Sequence, residues 1–210
     1  MFRNLRLPCV IAAFTLALVT SSTNAEVFHS KLQGPSIGVS FSDYDPVKCV
    51  YTLAAFSINE MQFSDTSGTP SSSPWISLYI DQYSPCGYPG GAEYFAYEAI
   101  PAGAFHTDGG RMSTATLQIT IYAAYERGQP KIVPVTIDVV LTGEGEVTTG
   151  HSSQTTSNRF FRTVTRSHGT ARAATVSGSM LLWGENLADT ESFAILGFSH
   201  SGSITVQKPR

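Results

Sequence analysis

Apolar and polar residues alternate one for one along several stretches of this sequence, which is the pattern of a β-strand with one buried face. Residues 75–81, 115–123 and 132–141 carry the clearest alternation. Weaker strand candidates lie at 36–41, 50–58, 92–98, 160–166, 171–180, 194–198 and 203–206. The breaks between them are rich in Gly, Pro and Ser, which favour turns. About ten short strands of this kind predict an all-β fold, a single antiparallel β-sandwich, with a small β-barrel as the alternative.

The N-terminus has the three parts of a cleavable signal peptide. Arg3 and Arg6 supply the positive charge, residues 10–19 are almost wholly apolar, and small residues lead up to Ala25. The apolar run spans only about 15 Å as a helix, half the thickness of a hydrocarbon core, so we favour a leader over a membrane anchor. We predict cleavage near Ala25, a secreted or periplasmic location, and a single all-β domain over residues 26–210.

The charge balance argues against nucleic acid as a partner. The chain has 13 Lys and Arg and 16 Asp and Glu residues, and loss of Arg3 and Arg6 with the leader leaves a net charge of about −5. An acidic surface repels phosphate backbones. The remaining sequence has no other apolar stretch long enough to cross a bilayer as a helix, so we expect no transmembrane segment after cleavage.

Two cysteines remain after loss of the leader, Cys49 and Cys86. In an exported domain they allow one intramolecular disulfide, which would close a loop of about 38 residues and stabilise the fold by about 4 kcal/mol in the chain-entropy model. The alternative is a pair of buried free thiols.

No motif in the sequence assigns a catalytic residue, a metal site or a cofactor. The histidines are scattered through the chain without the spacing of metal ligands. They are His29, His106, His151, His168 and His200.

An aromatic set shares one strand parity in residues 75–83. Trp75, Tyr79 and Tyr83 alternate with the aliphatic residues of this segment, and Asp81 falls on the aromatic side. If the aliphatic side faces the core, the rings face outward, where they suit recognition of a glycan or a protein. The alternative is that a second layer covers them.

A local basic segment is the second candidate surface. Residues 147–184 contain no acid. The basic side chains in that segment are Arg159, Arg162, Arg166 and Arg172. A guanidinium group can donate two parallel hydrogen bonds to a carboxylate, sulfate or phosphate group. The segment therefore suits an anionic glycan or an acidic partner. The alternative is an edge strand that charge keeps soluble.

These observations favour an exported, non-enzymatic binding or surface-associated protein whose ligand is a glycan or another extracellular protein. A structural or assembly subunit that pairs through exposed strand edges is one alternative. A secreted hydrolase, with an active site assembled from residues distant in sequence, is another.

Overall fold

The computed structural model describes residues 27–65, 74–86, 91–125 and 131–207, and these are nearly all in β-strands. The predicted signal peptide at 1–25 lies outside the described residues. The strands are β1 (Val27–Asp45), β2 (Val50–Asn59), β3 (Gln62–Ser64), β4 (Trp75–Tyr83), β5 (Ala92–Ala99), β6 (Phe105–Thr107), β7 (Thr114–Tyr125), β8 (Ile132–Ser157), β9 (Phe161–Leu182), β10 (Glu185–Asn186) and β11 (Glu191–Gln207). None of the helical turns among the described residues has the length or apolar character of a membrane-spanning helix.

The strands form one antiparallel sheet, which confirms the predicted all-β fold. Eight of them pair in the order β1, β2, β4, β5, β7, β8, β9, β11, and β11 pairs with β1 again. The sheet is therefore closed on itself, in the manner of the barrel alternative. The contact between β5 and β7 is the short seam of this ring, with two registered residue pairs, Tyr94 with Tyr125 and Phe95 with Ala124.

Four strands are much longer than the sequence pattern predicts. β1, β8, β9 and β11 contain 19, 26, 22 and 17 residues. Apart from Phe160, the predicted segments 160–166 and 171–180 are parts of β9, and 194–198 and 203–206 are parts of β11. The residues between those segments are polar or glycine, so they show no hydrophobic alternation, yet each pairs in register with a neighbouring strand. Backbone hydrogen bonds, which need no particular side chain, continue the strands through them.

The core lies inside the ring, on the face that the alternation predicts. Ile80, Ile137 and Leu141 have no exposed surface, and the aliphatic side of residues 75–81 is wholly buried. Each neighbouring strand contributes its inward residues to the same cluster. Outward residues on these strands are exposed or half-buried, as expected for a sheet with one face against the core and one against solvent.

The four long strands continue beyond the ring as an extension, which we call the arm. It comprises residues 27–36 of β1, 146–157 of β8, 161–172 of β9 and 199–207 of β11, with β3 paired along the outside of β1. A β-bulge on β8 lies where the arm begins, between Glu144 and Thr148, and Gly145 adopts a φ of 69° there. The register moves by two residues across this bulge, so the inner face of the ring continues as one face of the arm.

The disulfide lies at the end of the ring opposite the arm. Cys49 and Cys86 are bonded, with their Cα atoms 6.1 Å apart, as predicted. Cys49 directly precedes β2 and Cys86 follows β4, two strands that are neighbours in the ring. The bridge therefore joins the start of β2 to the end of β4 at the end of the ring furthest from the arm.

Candidate functional site

The inner face of the arm bounds a cavity of about 760 Å³. All four long strands contribute to its lining, as does the segment at the end of β3, so the arm is curved around it. The side chains of the inner face that line it are His29, Lys31, Ser64, Asp65, His151, Ser153, Arg166, His168, His200 and Ile204. We call this cavity the arm groove.

Three histidines form a row across the floor of the arm groove. His168 on β9 lies directly opposite His151 on β8 and directly opposite His200 on β11. The rings of His151 and His168 are in contact, with centroids 4.4 Å apart and planes inclined by 38°. Adjacent strands are about 4.8 Å apart, so the row spans about 10 Å. His29 on β1 shares the face of His200, four residues further along the register.

One imidazole nitrogen in this row is short of a partner. Nδ1 of His168 is buried and makes no hydrogen bond. An unpaired buried polar atom carries a desolvation cost of about 1–3 kcal/mol. This nitrogen is thus a polar atom that its described neighbours leave unpaired.

A second cavity, of about 370 Å³, continues the arm groove towards the tip of the arm. Arg166 and Ile204 line both cavities. Beyond them the second cavity is lined by Arg162, Val164 and Val206. The positions from 168 to 162 span about 20 Å along β9, so the two cavities form one elongated groove with arginines on one wall and aliphatic groups beside them.

The cations of the groove have no carboxylate partner in the part of the chain that the structure describes. No ion pair joins a described carboxylate to Lys31, Arg162 or Arg166, whereas Lys48, in the turn between β1 and β2, pairs with both Asp45 and Glu185 at 3.1 and 2.9 Å. Among the described residues that line the two cavities, Asp65 is the single acid. The groove therefore carries net positive charge in a chain whose overall charge is negative.

Six hydroxyl groups at the alternate positions of the arm are paired with one another across neighbouring strands. Cross-strand pairs join Ser30 to Ser203 at 2.6 Å and Thr163 to Thr205 at 2.9 Å, oxygen to oxygen. Ser167 donates to Ser201 at 3.2 Å. These bonds fasten the strands of the arm together, and they leave the charged groups and imidazoles as the main groups for a ligand.

The four predicted arginines do not form one surface. Arg162 and Arg166 face the groove, but Arg159 lies over the ring of Phe160, 4.4 Å from its centroid, in the turn at the tip of the arm. Arg172 donates from Nε to the carbonyl oxygen of Gly145 at 3.1 Å. Arg172 thus supports the bulge at the base of the arm.

The predicted aromatic set lies on a different part of the molecule, the outer wall of the ring. Trp75, Tyr79 and Tyr83 are 39%, 38% and 46% exposed. No second layer covers them within the described residues, but two of the rings are already engaged. Trp75 stacks on Tyr97 with centroids 4.9 Å apart, and Tyr83 packs against Tyr51 at 5.1 Å. Asp81, on the same face, lies between Leu53 and Glu93 in the register.

A trough of about 410 Å³ runs beside this aromatic set. One cross-strand row places Ser40 and Ala55 between Phe193 on one side and Tyr79 on the other. The adjacent row has Gly38, Ser57 and Ser77 in its middle. Small residues thus form the floor and large apolar side chains form the walls.

The sequence indicates Arg162 and Arg166 as candidate binding residues but does not group the histidines. His29, His151, His168 and His200 are far apart in the chain, and only the pairing of β1, β8, β9 and β11 brings them together. The local pattern contained no signal for that pairing, because the segments around them lack hydrophobic alternation. His106, on β6, is the one histidine outside the groove.

The histidine row does not form a ready metal centre. Among the residues described, no group of three or more His, Cys, Asp or Glu side chains is arranged to hold a metal ion. The groove has the chemistry of an anion site, since its fixed charges are cations and imidazoles become cations when they take up a proton.

The fold and the groove together define an all-β protein with a basic, elongated cleft in an extension of its closed sheet. No family model and no curated protein matches the sequence. A solved structure that does match is an acetoacetate decarboxylase-like enzyme from Sphingomonas wittichii RW1, at 10% identity and a TM-score of 0.27, covering 86% of this chain and 92% of that one. A likeness at this level supports no inference about the function of this chain.

Proposed function

We propose that this chain is an exported binding protein that holds a linear anionic glycan in the arm groove. The observation that carries the proposal is the pair of guanidinium groups, Arg162 and Arg166, which line an elongated cleft and form no ion pair with any described carboxylate. Export rests on the leader predicted at residues 1–25.

The geometry suits a chain-like ligand better than a folded one. Arg162 and Arg166 are four residues apart on one face of β9, about 13 Å along the strand. Each can donate two parallel hydrogen bonds to a sulfate or carboxylate group. Val164, with Ile204 opposite it on β11, offers apolar surface between the charges, where the ring carbons of a sugar would pack.

The same lining supports binding over hydrolysis. Glycoside hydrolysis uses a pair of carboxyl groups on either side of the scissile bond. The described lining of the two cavities includes one carboxylate, that of Asp65. The groove therefore offers charge recognition without the acid and base of a glycosidase.

Binding of labelled oligosaccharides tests the proposal. The probes are a sulfated heparin-derived hexasaccharide, a hexagalacturonate and neutral maltohexaose, at 50 and 200 mM NaCl. We expect the sulfated or carboxylated probe to bind, the neutral probe to bind far more weakly, and added salt to weaken binding through screening. Arg166→Gln should lower the affinity about tenfold, because a charged hydrogen-bonded contact is lost.

Lys131→Gln is the matched control. It removes one positive charge at the start of β8, the end of that strand furthest from the arm, and should change the affinity less than twofold. Failure of both anionic glycans to bind, or an equal effect of the two substitutions, would refute the proposal. Tighter binding of an oligoglutamate than of either glycan would replace the glycan by an acidic peptide.

A second recognition surface is supported by the trough on the outer wall. Tyr79, Phe95 and Phe193 wall a floor of small residues, which suits a neutral, partly apolar ligand such as a glycan face or a protein segment. Closure of the ring gives less support to an assembly subunit, because strand edges within the described chain remain chiefly in the arm.

A further inference from the structure

We propose that the histidine row makes ligand capture in the arm groove pH-dependent, so that an anionic glycan is held more tightly as the pH falls from about 7.5 to about 5.5. This inference rests on the proposed function, since it concerns the same groove and the same class of ligand. It adds a regulatory property that the two arginines cannot provide, because guanidinium charge does not change in this range.

The positions of the histidines carry the argument. Four of the five histidines in the chain line one cavity, although they come from four different strands. His151, His168 and His200 are direct cross-strand neighbours, and the first two have their rings 4.4 Å apart. Imidazole is the side chain whose charge ordinarily changes between about pH 5 and pH 8. The groove thus concentrates the groups that respond to mild acid.

The charges around the row determine the direction of the effect. Lys31 and His29 face it from β1, Arg166 from β9, and Asp65 from the end of β3. At alkaline pH the fixed charges near the row are two cations and one anion. Acidification adds positive charge to a groove that already has an excess of it, so the attraction for a polyanion rises.

A bound polyanion couples proton uptake to binding. Its negative charge stabilises the protonated form of a nearby imidazole over the neutral form, so the row takes up protons when the ligand binds. By linkage, a ligand that draws protons onto the protein must bind more tightly when protons are more abundant. Protonation also makes both nitrogens of an imidazole hydrogen-bond donors, including the unpartnered Nδ1 of His168.

The experiment compares affinities for the sulfated heparin-derived hexasaccharide at pH 5.5 and pH 7.5 and at constant ionic strength. Sulfate esters stay ionised at both values, so a change in affinity comes from the protein. We expect the wild-type chain to bind about tenfold more tightly at pH 5.5. His151→Gln with His168→Gln and His200→Gln should reduce this ratio to about twofold.

His106→Gln is the control, since His106 lies on β6 outside the groove, and it should keep the full ratio. Calorimetry of the wild-type chain near pH 6.5, in buffers of different ionisation enthalpy, should show net proton uptake on binding. This measurement does not depend on the folding of a triple variant.

The outcomes separate the two proposals. Binding with equal affinity at both pH values, or without proton uptake, would refute the pH dependence and leave the anion groove intact. A ratio that survives in the triple variant would assign the effect to other groups and overturn the inference. Absence of binding at both pH values would refute the proposed function itself, and the pH dependence with it.

Discussion

The ring and the arm are built from the same long strands, yet their inner faces differ in character. In β8, the inward side chains of the ring portion are the fully buried Val135, Ile137 and Leu141, whereas His151 and Ser153 occupy the equivalent face in the arm. In β9 the change is from Met180 and Leu182 to Arg166 and His168. The face is continuous, but its side chains form a buried core in the ring and line a groove in the arm.

The difference arises from the number of strands that surround each portion. In the ring, β2, β4, β5 and β7 complete the enclosure, so inward side chains are removed from water and are apolar. Those four strands do not extend into the arm, and no other described strand closes over its inner face. Strand alternation therefore decides the side on which a residue lies, whereas closure of the sheet decides whether that side is a core or a binding surface.

The largest expected difference between the ring and the arm is in the free energy of unfolding that a core substitution removes. Ile137→Ala, in the ring core, should lower the free energy of unfolding by about 3–4 kcal/mol, because a buried methyl-bearing group is replaced by a cavity. Ile204→Ala in the arm, where the side chain is 47% exposed, should cost about 1 kcal/mol or less. Denaturation in guanidinium chloride, followed by circular dichroism, measures both. Similar losses for the two variants would show that the arm is packed like the ring.

A glycine lies at the point where β1 leaves the ring, and the backbone of another segment approaches it closely. Gly34 is buried, and a Cβ placed on it would lie 1.8 Å from the carbonyl oxygen of Glu60. We expect Gly34→Ala to lower the free energy of unfolding by about 2 kcal/mol, because the backbone must shift. Gly38→Ala on the same strand meets no atom within 4 Å and should change stability by about 0.5 kcal/mol or less. Thermal unfolding of the two variants is the measurement, and equal stabilities would contradict the close approach at Gly34.

The smallest expected effect is on glycan affinity, and it distinguishes the aromatic set on the outer wall of the ring from the arm groove. Trp75→Ala, on the outer wall of the ring, should change the affinity for the sulfated hexasaccharide less than twofold, because Trp75 is not part of the arm groove. Fluorescence polarisation with the labelled probe measures this, and Arg166→Gln is the positive comparison. A loss as large as that of Arg166→Gln would mean that the aromatic set and the arginines bind one ligand together.

Much of the ring could be predicted from the sequence. The alternation at 75–81 and 132–141 identified both the strands and their buried sides, because the apolar side chains on one face of each strand are removed from water. The pairing of Cys49 with Cys86 followed from their number. The full lengths of β9 and β11 did not follow, since residues 167–170 and 199–202 have no apolar alternation and are held by pairing with neighbours.

The candidate site divides in the same way. Arg162 and Arg166 are close in sequence, so strand parity alone placed them on one face. His151, His168 and His200 depend on the register between β8, β9 and β11, which is fixed by hydrogen bonds and by the packing of the ring portions of those strands.

The composition of the strands, their buried sides and the basic segment follow from the sequence alone, because these depend on neighbours within a few residues. Three features are evident only in the folded chain: the sheet closes, four strands continue beyond the ring, and four distant histidines line one groove with two arginines. Those features depend on which strands pair and in which register. The free energy of pairing between distant segments depends on the whole sheet, so the residue pattern of a single strand does not reveal it.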